Sequence, residues 1–570
     1  MPKAQSFAVP AWAQDAVWYQ IFPERFRNGR RRSDPQLADF ADQSVPGWRI
    51  VPWGLEWYGR DRWEKGQDFR KTVFLRRYGG DLVGVRQKLG YLRDLGINAI
   101  YLNPVFQAQS LHKYDASCFH HIDPCFGPDR AGDLRALAAA GETEDPKTWI
   151  WTAADRYFVA FVADAHAHGI RVIIDGVFNH TGRDFFAFRD LLKNGKKSRY
   201  RNWYLIKQWN ADGTFEYDGW FGHKALPELD RTKNDLAAPV REYVFNITRR
   251  WMDPDGDGNP ADGVDGWRLD VAFCVPHGFW KKWRRVVRGI NPEAYLTAEI
   301  VNRADDYLKG DEFDAVMNYM WMYPTVNFFA PHGSGISVRE FRRAQDGWRK
   351  AYPAACLPVL QNLLDSHDVG RIASMLENVR EPIREFGPYF EFSRVHHAPQ
   401  FRTGKPGARA WQALRQALVF QMTFPGAPML YYGTEVGMWG ANDPCDRQPM
   451  LWDDVAYGPE TRGAHGPVPR MARKPDHKLA AFVRKAIALR HAEAALRRGT
   501  LRWLNTGHDR LLGYERKLGG RRITVLLNAS SAPLTWKLAR PSRDLWTRRT
   551  CAAGTVSVPA RSWRILASGD

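Results

Sequence analysis

Four short segments place carboxylates at the ends of apolar stretches, and three of the four also contain a histidine or an arginine. They are residues 175–180 (DGVFNH), 266–270 (GWRLD), 298–301 (AEIV) and 365–368 (DSHD). A buried charge costs stability unless it is paired or serves a function. One acidic residue in such a place usually forms a structural salt bridge, but four that converge on one rim favour a reactive site.

The chemistry that fits this set is cleavage of a glycosidic bond. One carboxylate acts as nucleophile, a second carboxylic acid protonates the leaving oxygen, and a third carboxylate opposes the developing positive charge. Arg268 stands two residues before Asp270, so both side chains leave the strand on one face, and we expect the arginine to lower the pKa of that carboxyl. Apolar Ile300 and Val301 follow Glu299 and predict a raised pKa there.

Eight short apolar runs must position these residues, and helical patterns such as residues 82–95 and 153–168 separate them. Continuous apolar runs are typical of parallel strands that are buried on both faces. The sequence therefore predicts an α/β fold, a (β/α)₈ TIM barrel. The predicted strands are residues 18–22, 99–103, 171–178, 266–271, 295–301, 313–319, 359–365 and 429–433.

The chain has 570 residues, so more than one domain is expected. Long connections follow the first, third and seventh strands, and on a barrel they would wall the face that carries the active site. After about residue 499, short strands at 511–514, 522–527, 534–538 and 555–558 predict a β-sandwich. We expect a barrel (1–180 and 237–496), an inserted subdomain B (181–236) and a C-terminal antiparallel β-sandwich (497–570).

With these motifs in this order, the chain resembles the α-amylase family of glycoside hydrolases, in particular its neopullulanase–cyclomaltodextrinase branch. The likeness extends to WYQIFPERF from residue 18, YGGDL from residue 78, HKYD from residue 112 and YYGTEVG from residue 431. It implies retaining cleavage of α-1,4-glucosidic bonds in maltooligosaccharides, cyclodextrins, pullulan or starch. It leaves α-1,6 cleavage and transglycosylation open, and it implies no organic cofactor.

The resemblance also implies a role for each matching residue. Asp270 corresponds to the nucleophile, Glu299 to the acid/base and Asp368 to the stabiliser of the transition state. Arg268 corresponds to the arginine that orients the nucleophile, and Tyr114 to the aromatic platform under the sugar in subsite −1. The other implied contacts in that subsite are His180, His367, Asp443 and Arg447.

Two departures from the branch carry expectations. Relatives usually have a separate N-terminal β-domain that builds a dimer, whereas here the barrel begins near residue 15. We therefore expect a member without that domain, either a monomer or a homodimer. The branch often reads VANE after the nucleophile, but residues 271–274 read VAFC. Phe273 borders the acceptor subsites and is predicted to alter acceptor choice or the balance between water and sugar.

Two acidic regions are candidate calcium sites. Asp253, Asp255 and Asp257 occupy positions 1, 3 and 5 of a calcium loop with glycine at position 6, and Asp262 replaces the missing glutamate. An acidic turn without metal is the alternative. A second site is implied by the resemblance, although an arginine stands where a ligand aspartate is common. Its residues are Asn28, Asp34, Gly79 and Asp81.

Composition limits the partners and the compartment. The net charge of +19 makes nucleic-acid binding a possibility to consider. The basic residues are dispersed along the sequence, however, and this favours a solvated basic surface. No apolar run is long enough to span a bilayer. Residues 1–14 lack the order of a signal peptide, so we expect a cytoplasmic protein, or a periplasmic one if a leader was removed. Six scattered cysteines predict free thiols, and the 24 tryptophans suggest sugar stacking as well as core packing.

Two alternative functions stay open. An α-glucosyl transferase or an isomerase like trehalose synthase would use the same carboxyls and would differ in its products. A non-catalytic barrel that binds glycans would typically lack catalytic carboxylates, and all three are present here.

Overall fold

A closed barrel of eight parallel strands forms the centre of the computed structural model, which describes residues 7–41, 43–333 and 335–569. The strands are β1 Trp18–Ile21, β2 Ala99–Leu102, β3 Arg171–Gly176, β4 Gly266–Leu269, β5 Tyr295–Ala298, β6 Ala315–Val316, β7 Gln361–Leu363 and β8 Ala427–Tyr431. Their order is β6-β5-β4-β3-β2-β1-β8-β7, and a parallel bridge between Met317 and Gln361 joins the two ends. The predicted TIM barrel is confirmed.

Helices lie between most of the strands. They are Pro23–Phe26, Phe69–Thr72, Leu82–Gln87, Leu89–Leu95, Arg130–Ala140, Ala153–Ala167, Phe186–Asn194, Ala238–Met252, His277–Ile290, Tyr319–Phe329, Val338–Arg349, Ile372–Asn378, Phe386–Phe392, Ala408–Thr423, His477–Ala492 and Ala494–Arg498. Residues 299–314, between β5 and β6, contain no α-helix. The predicted helix 82–95 breaks at Lys88, whose ψ of 6° leaves the α-helical range.

The predicted subdomain, residues 181–236, follows the carboxyl end of β3 and is called the lobe. It contains the helix Phe186–Asn194 and a hairpin of Ile206–Trp209 with Phe215–Tyr217. Arg231 joins this lobe to the barrel, since its guanidinium donates to Asn179 Oδ1 and, at 2.7 Å, to the carbonyl of Cys274. The lobe is therefore held against the loops that follow β3 and β4.

The C-terminal part contains two antiparallel sheets that face each other. Six strands form one sheet: Thr500–Leu504, Leu511–Leu518, Arg521–Asn528, Ser562–Ser568, Ser542–Asp544 and Thr550–Cys551. Leu534–Leu538 and Gly554–Val558 form the other. Leu511, Leu526, Val558 and Leu566 are buried together between them, so the predicted sandwich is confirmed. A separate hairpin, Glu460–Gly463 with Gly466–Met471, precedes it.

The tryptophan-rich loop after β1 is mostly structural. Trp57 and Trp63 are buried, and the indole N–H groups of Trp48 and Trp53 donate to the carbonyls of Leu75 and Met450. Tryptophan does not occur among the large apolar side chains that stand exposed in the described part of the chain. The excess of tryptophan therefore serves the core more than sugar stacking.

The structure also bears on two expectations from composition. The six cysteines are all unpaired, and four of them are buried. Across residues 7–41, 43–333 and 335–569, no helix has both the length and the apolar character that a membrane crossing requires.

Candidate active site

The predicted catalytic carboxyls follow neighbouring strand ends of the barrel. Leu269 of β4 pairs with Ala298 of β5, so Asp270 and Glu299 leave the barrel side by side at its carboxyl end. Asp368 follows β7 after a short loop. Active sites of parallel barrels lie at this end because the connecting loops converge there.

One buried guanidinium, that of Arg268, holds three carboxyl groups. Its Nη1 lies 2.7 Å from Asp270 Oδ1 and 2.9 Å from Asp175 Oδ1, and its Nη2 lies 3.0 Å from Glu299 Oε2. Arg268 and Asp175 are fully buried, whereas Asp270 and Glu299 keep 6% and 7% of their surface exposed. The two predicted catalytic groups therefore face the opening, and the other two anchor them from below.

Three carboxyl groups share one cation here, so both burial and the neighbouring charges act on the ionisation of Asp270. Burial raises the pKa of Asp270 well above its ordinary range; the charge of Arg268 opposes this shift, and the charges of Glu299 and Asp175 add to it. The sequence-based expectation gave the direction of the arginine's effect correctly. Burial outweighs that effect, so the net pKa of Asp270 is raised and not lowered.

Glu299 lies in a polar setting, contrary to the expectation from Ile300 and Val301. Its Oε2 accepts a hydrogen bond of 3.0 Å from the backbone N–H of Val271 and also contacts Arg268. Val271 has a φ of 36°, a left-handed conformation that is unfavourable for a β-branched residue. This conformation turns the N–H after Asp270 toward the second carboxyl.

Asp368 is held by a second arginine. Arg447 Nη2 lies 3.2 Å from Asp368 Oδ1, Nη1 lies 2.9 Å from Asp443 Oδ1, and Nε donates to the carbonyl of His367 at 2.8 Å. Burial and the charge of Glu299 raise the pKa of Asp368 to about 7, while Arg447 and Arg268 oppose the shift. The predicted pair of Asp443 and Arg447 thus borders the predicted stabiliser directly.

His367 takes part in a buried chain of hydrogen bonds. Gln20 Nε2 donates to its Nδ1 at 2.8 Å, which leaves the proton of the neutral ring on Nε2, beside the hydroxyl of Tyr114. That hydroxyl donates to Asp175 Oδ2 at 3.0 Å. Burial and the charges of Arg447 and Arg268 hold the pKa of His367 well below its ordinary value, so the ring stays neutral.

His180 has a free nitrogen in a buried place. Its Nδ1 lies 3.1 Å from Asn179 Nδ2, while its Nε2 has no hydrogen-bond partner among the described residues although the residue is 2% exposed. Burial lowers its pKa to about 3. A buried polar atom without a partner costs free energy, and a ligand hydroxyl would supply the missing hydrogen bond.

Phe273, by contrast, is 40% exposed on the loop after β4.

Comparison with known proteins identifies the family. The model of the α-amylase catalytic domain matches residues 20–145 and 154–387. The chain belongs to the α-amylase family of glycoside hydrolases.

Individual relatives within the α-amylase family show which kinds of enzyme this chain resembles. Neopullulanase 2 of Thermoactinomyces vulgaris is 34% identical over 97% of this chain and 76% of its own length. A solved cyclomaltodextrinase is 32% identical, with a TM-score of 0.73, over 99% of this chain and 79% of that one. Cyclic α-maltosyl-(1→6)-maltose hydrolase of Arthrobacter globiformis is 27% identical, with a TM-score of 0.71, over 99% and 100%. This family member is therefore an enzyme that resembles α-glucan hydrolases along nearly all of its length.

The acidic loop of this α-amylase family member brings three of its four predicted metal ligands together. Carboxylate oxygens of Asp253, Asp255 and Asp262 lie within 4.8 Å of one another. Asp253 Oδ1 and Asp262 Oδ1 are buried and have no hydrogen-bond partner, which suits a hard cation. Asp257 lies outside this group, and its carboxylate accepts from the N–H of Asn259 at 2.7 Å.

The second predicted calcium site has a different geometry. Asp81 accepts backbone hydrogen bonds from Gly29, Arg30 and Gly84 at 2.6–3.0 Å through both of its oxygens. Nδ2 of Asn28 donates to Asp34 Oδ1 at 2.7 Å. Next to them, a side chain at Gly79 would lie 2.4 Å from Asp34 Oδ1. Oδ1 of Asn28 is buried and has no hydrogen-bond partner in the described part of the chain, so this loop also keeps an oxygen that a hard cation could bind.

Asp175 stood among the carboxylates that the sequence singled out but was given no role, and the sequence reasoning missed the other residues that support the site from beneath. Asp175, Tyr101 and Asn103 surround the hydroxyl of Tyr114, and Gln20 orients His367. All four are buried polar or hydroxyl-bearing residues on, or just after, barrel strands. A polar or hydroxyl-bearing residue within or just after an apolar strand is unusual, and this pattern could have indicated that these residues support the site.

Proposed function

We propose that this enzyme hydrolyses α-1,4-glucosidic bonds of α-glucans with retention of configuration. The observation that carries the proposal is the single guanidinium of Arg268, which contacts both Asp270 and Glu299. Retaining enzymes keep their two carboxyls close, roughly 5–5.5 Å apart, whereas inverting enzymes leave room for a water between them. Sharing one guanidinium supports the closer arrangement.

In the proposed first step, a carboxylate oxygen of Asp270 attacks the anomeric carbon. Glu299 gives its proton to the glycosidic oxygen, and the bond between that oxygen and the anomeric carbon breaks. In the second step Glu299 takes a proton from water, the water oxygen attacks the anomeric carbon, and Asp270 leaves. Ionised Asp368 opposes the positive charge of the oxocarbenium-like transition states.

The proposed subsite −1 lies between the two arginine clusters. Tyr114 would form its aromatic floor, because its hydroxyl is fixed by Asp175 and its ring lies parallel to that of His367. The unpartnered Nε2 of His180 would bind a sugar hydroxyl. We assign the remaining polar contacts of the subsite to His367, Asp443 and Arg447.

The substrate class follows from the relatives, whose names cover cyclomaltodextrins, pullulan and maltosyl-maltose rings. We propose maltooligosaccharides, cyclodextrins, pullulan or starch for this chain, with α-1,6 cleavage and transfer as further activities to be measured. The exposed ring of Phe273 would border the acceptor sugar. We further propose that one Ca²⁺ binds to Asp253, Asp255 and Asp262, where it would neutralise a cluster of like charges.

Product analysis tests the proposal. The purified chain is incubated with maltotriose, cyclodextrin, pullulan and starch; products are separated by chromatography, and the anomer released first is identified by ¹H NMR. We expect maltose and glucose, with the α-anomer appearing first. Trehalose as the main product would reject hydrolysis in favour of isomerisation, and a β-anomer would reject the retaining mechanism. If none of the four substrates gave a product, the catalytic assignment would be rejected.

A further inference from the structure

Two adjacent histidines and a glutamate converge away from the carboxyl cluster of the barrel. Nε2 of His121 lies 2.7 Å from Glu142 Oε2, and Nε2 of His120 lies 3.5 Å from the same oxygen. Single ligand atoms of all three residues lie within 4.8 Å of one another. Both imidazoles are buried, at 3% and 1% exposure. The three groups come from two loops, one before and one after the helix Arg130–Ala140.

The outer nitrogen of each ring is fixed by a buried partner. His121 Nδ1 lies 2.7 Å from Asp155 Oδ2, and His120 Nδ1 lies 2.8 Å from the hydroxyl of Tyr243. Trp149 stacks on His120 with ring centroids 4.6 Å apart and planes within 5°. Histidines that bind a metal through one nitrogen are usually oriented in this way through the other, often by a carboxylate.

A cavity of about 510 Å³ borders the three groups. His120, His121 and Glu142 line it together with Cys118, Ser117 and Gln107. A cation held by the three side chains would therefore have one side open to this cavity, where a water molecule has room to complete a tetrahedron.

We propose that His120, His121 and Glu142 form a binding site for one Zn²⁺ ion. Tetrahedral zinc at roughly 2.0–2.1 Å from nitrogen and oxygen ligands separates those ligands by about 3.3 Å. The 3.5 Å spacing of His120 fits this value, and the 2.7 Å spacing of His121 opens by about 0.6 Å when zinc replaces the hydrogen bond. A set of two imidazoles and one carboxylate favours zinc, because calcium prefers sites made of oxygen ligands.

The bound ion would have a structural effect. Glu142 begins the segment that leads to Trp149 and the helix Ala153–Ala167, and His120 and His121 end the loop that also carries Tyr114. Zinc would tie the two segments together and so support the loop of Tyr114. We expect its removal to lower the melting temperature.

The test uses the full chain, stripped with a chelator and kept in calcium buffer so that the acidic Asp253 loop is filled. Zn²⁺ is titrated against a chromophoric chelator, and Co²⁺ is added to a second sample for visible spectroscopy. We expect one Zn²⁺ per chain and the visible bands of tetrahedral Co²⁺. If the parent chain did not bind zinc, that result alone would overturn the proposal.

Matched variants assign the ligands. Glu142→Gln keeps the shape of the side chain, and we expect zinc affinity to fall at least ~100-fold, since it loses a direct ligand. Tyr243→Phe should cost ~10-fold through the orientation of His120. Glu144→Gln is the control, because Glu144 pairs with Arg199 and Tyr200 outside the cluster. Equal zinc affinity in the Glu142 and Glu144 variants would also overturn the site.

Discussion

We expect the Asp270→Asn variant to lose turnover and yet to melt no lower than the parent chain. Asparagine has nearly the same shape but cannot form the covalent intermediate. Loss of a nucleophile in covalent catalysis should lower kcat by at least ~10⁴-fold, equivalent to about 5.5 kcal/mol of activation free energy. The stability side of the prediction depends on what remains around Arg268.

Removing the charge of Asp270 does not leave Arg268 unpaired. Its guanidinium keeps Asp175 at 2.9 Å and Glu299 at 3.0 Å. The cluster of three carboxylates and one guanidinium loses one unit of excess negative charge, which offsets the lost hydrogen bond. By contrast, Asp175→Asn disturbs the partner of Arg268 and the acceptor of the Tyr101 and Tyr114 hydroxyls. Arg268 keeps Asp270 and Glu299 in that variant too, so the expected cost is that of weakening the hydrogen bonds from two hydroxyls to a charged acceptor, about 1.5–3 kcal/mol each.

The pH also determines the direction in which the melting temperatures of Asp270→Asn and the parent chain differ. Burial raises the pKa of Asp270 in the folded chain, so its ionisation destabilises the fold once the pH rises above the ordinary carboxyl range of about 4. The melting temperature of Asp270→Asn relative to the parent should therefore increase as the pH rises through that raised value. Calorimetry from pH 4 upward measures this difference.

Hydrolysis of maltotriose and calorimetry of both variants complete the experiment. Residual activity near that of the parent would reject Asp270 as nucleophile. A loss of melting temperature as large as in Asp175→Asn would reject the charge argument, even if activity were lost. Chemical rescue adds a positive result: azide should restore turnover of α-glucosyl fluoride by Asp270→Gly and give the β-glucosyl azide.

Three further outcomes are expected. In Asp443→Asn, the acid limb of the kcat/KM profile should move to lower pH, because Asp443 helps to raise the pKa of Asp368 to about 7 and Asp368 acts as an anion; an unmoved limb would exclude Asp368 as the group titrating there. Calcium at 100 times its Kd should stabilise the parent by about 2.7 kcal/mol, and calorimetry should show this gain lost in Asp262→Asn but kept in Asp257→Asn. Phe273→Ala should lower the ratio of transfer to hydrolysis products from maltotriose about 5-fold, the equivalent of ~1 kcal/mol of lost ring stacking; an unchanged ratio would place the ring outside the acceptor subsite.

The strands and their carboxyl ends were predictable because parallel strands buried on both faces have apolar sequences that turns interrupt. The strands are nonetheless shorter than predicted, as at β6, where only Ala315–Val316 pair regularly. Apolar character continues past the regular ladder, because Met317 still bridges to Gln361 and Tyr319, which begins the next helix, is buried by tertiary packing. The break at Lys88 lies in an otherwise regular helical pattern, which packing overrides.

The site was predictable in its residues and less so in its electrostatics. Neighbours in sequence suggested an apolar setting for Glu299 and a lowered pKa for Asp270. Both properties depend on groups distant in sequence, such as Asp175, and on the backbone of Val271. Likewise, Asp257 fits the spacing of a calcium loop, but the oxygens that the folded loop brings within 4.8 Å of one another belong to Asp253, Asp255 and Asp262. Spacing identifies which residues can meet, and the folded backbone determines which do.

The left-handed backbone of Val271 limits which sequences this position can tolerate. Glycine would adopt a φ of 36° without a steric penalty, yet it would also let the loop after Asp270 explore other conformations. Valine carries a conformational cost of about 1–3 kcal/mol, and in exchange its branched side chain, 5% exposed, packs the peptide in place. Glycine at position 271 would relieve the strained φ but lose the burial of the valine side chain, so Val271→Gly should loosen the N–H that faces Glu299 without a large gain in thermal stability.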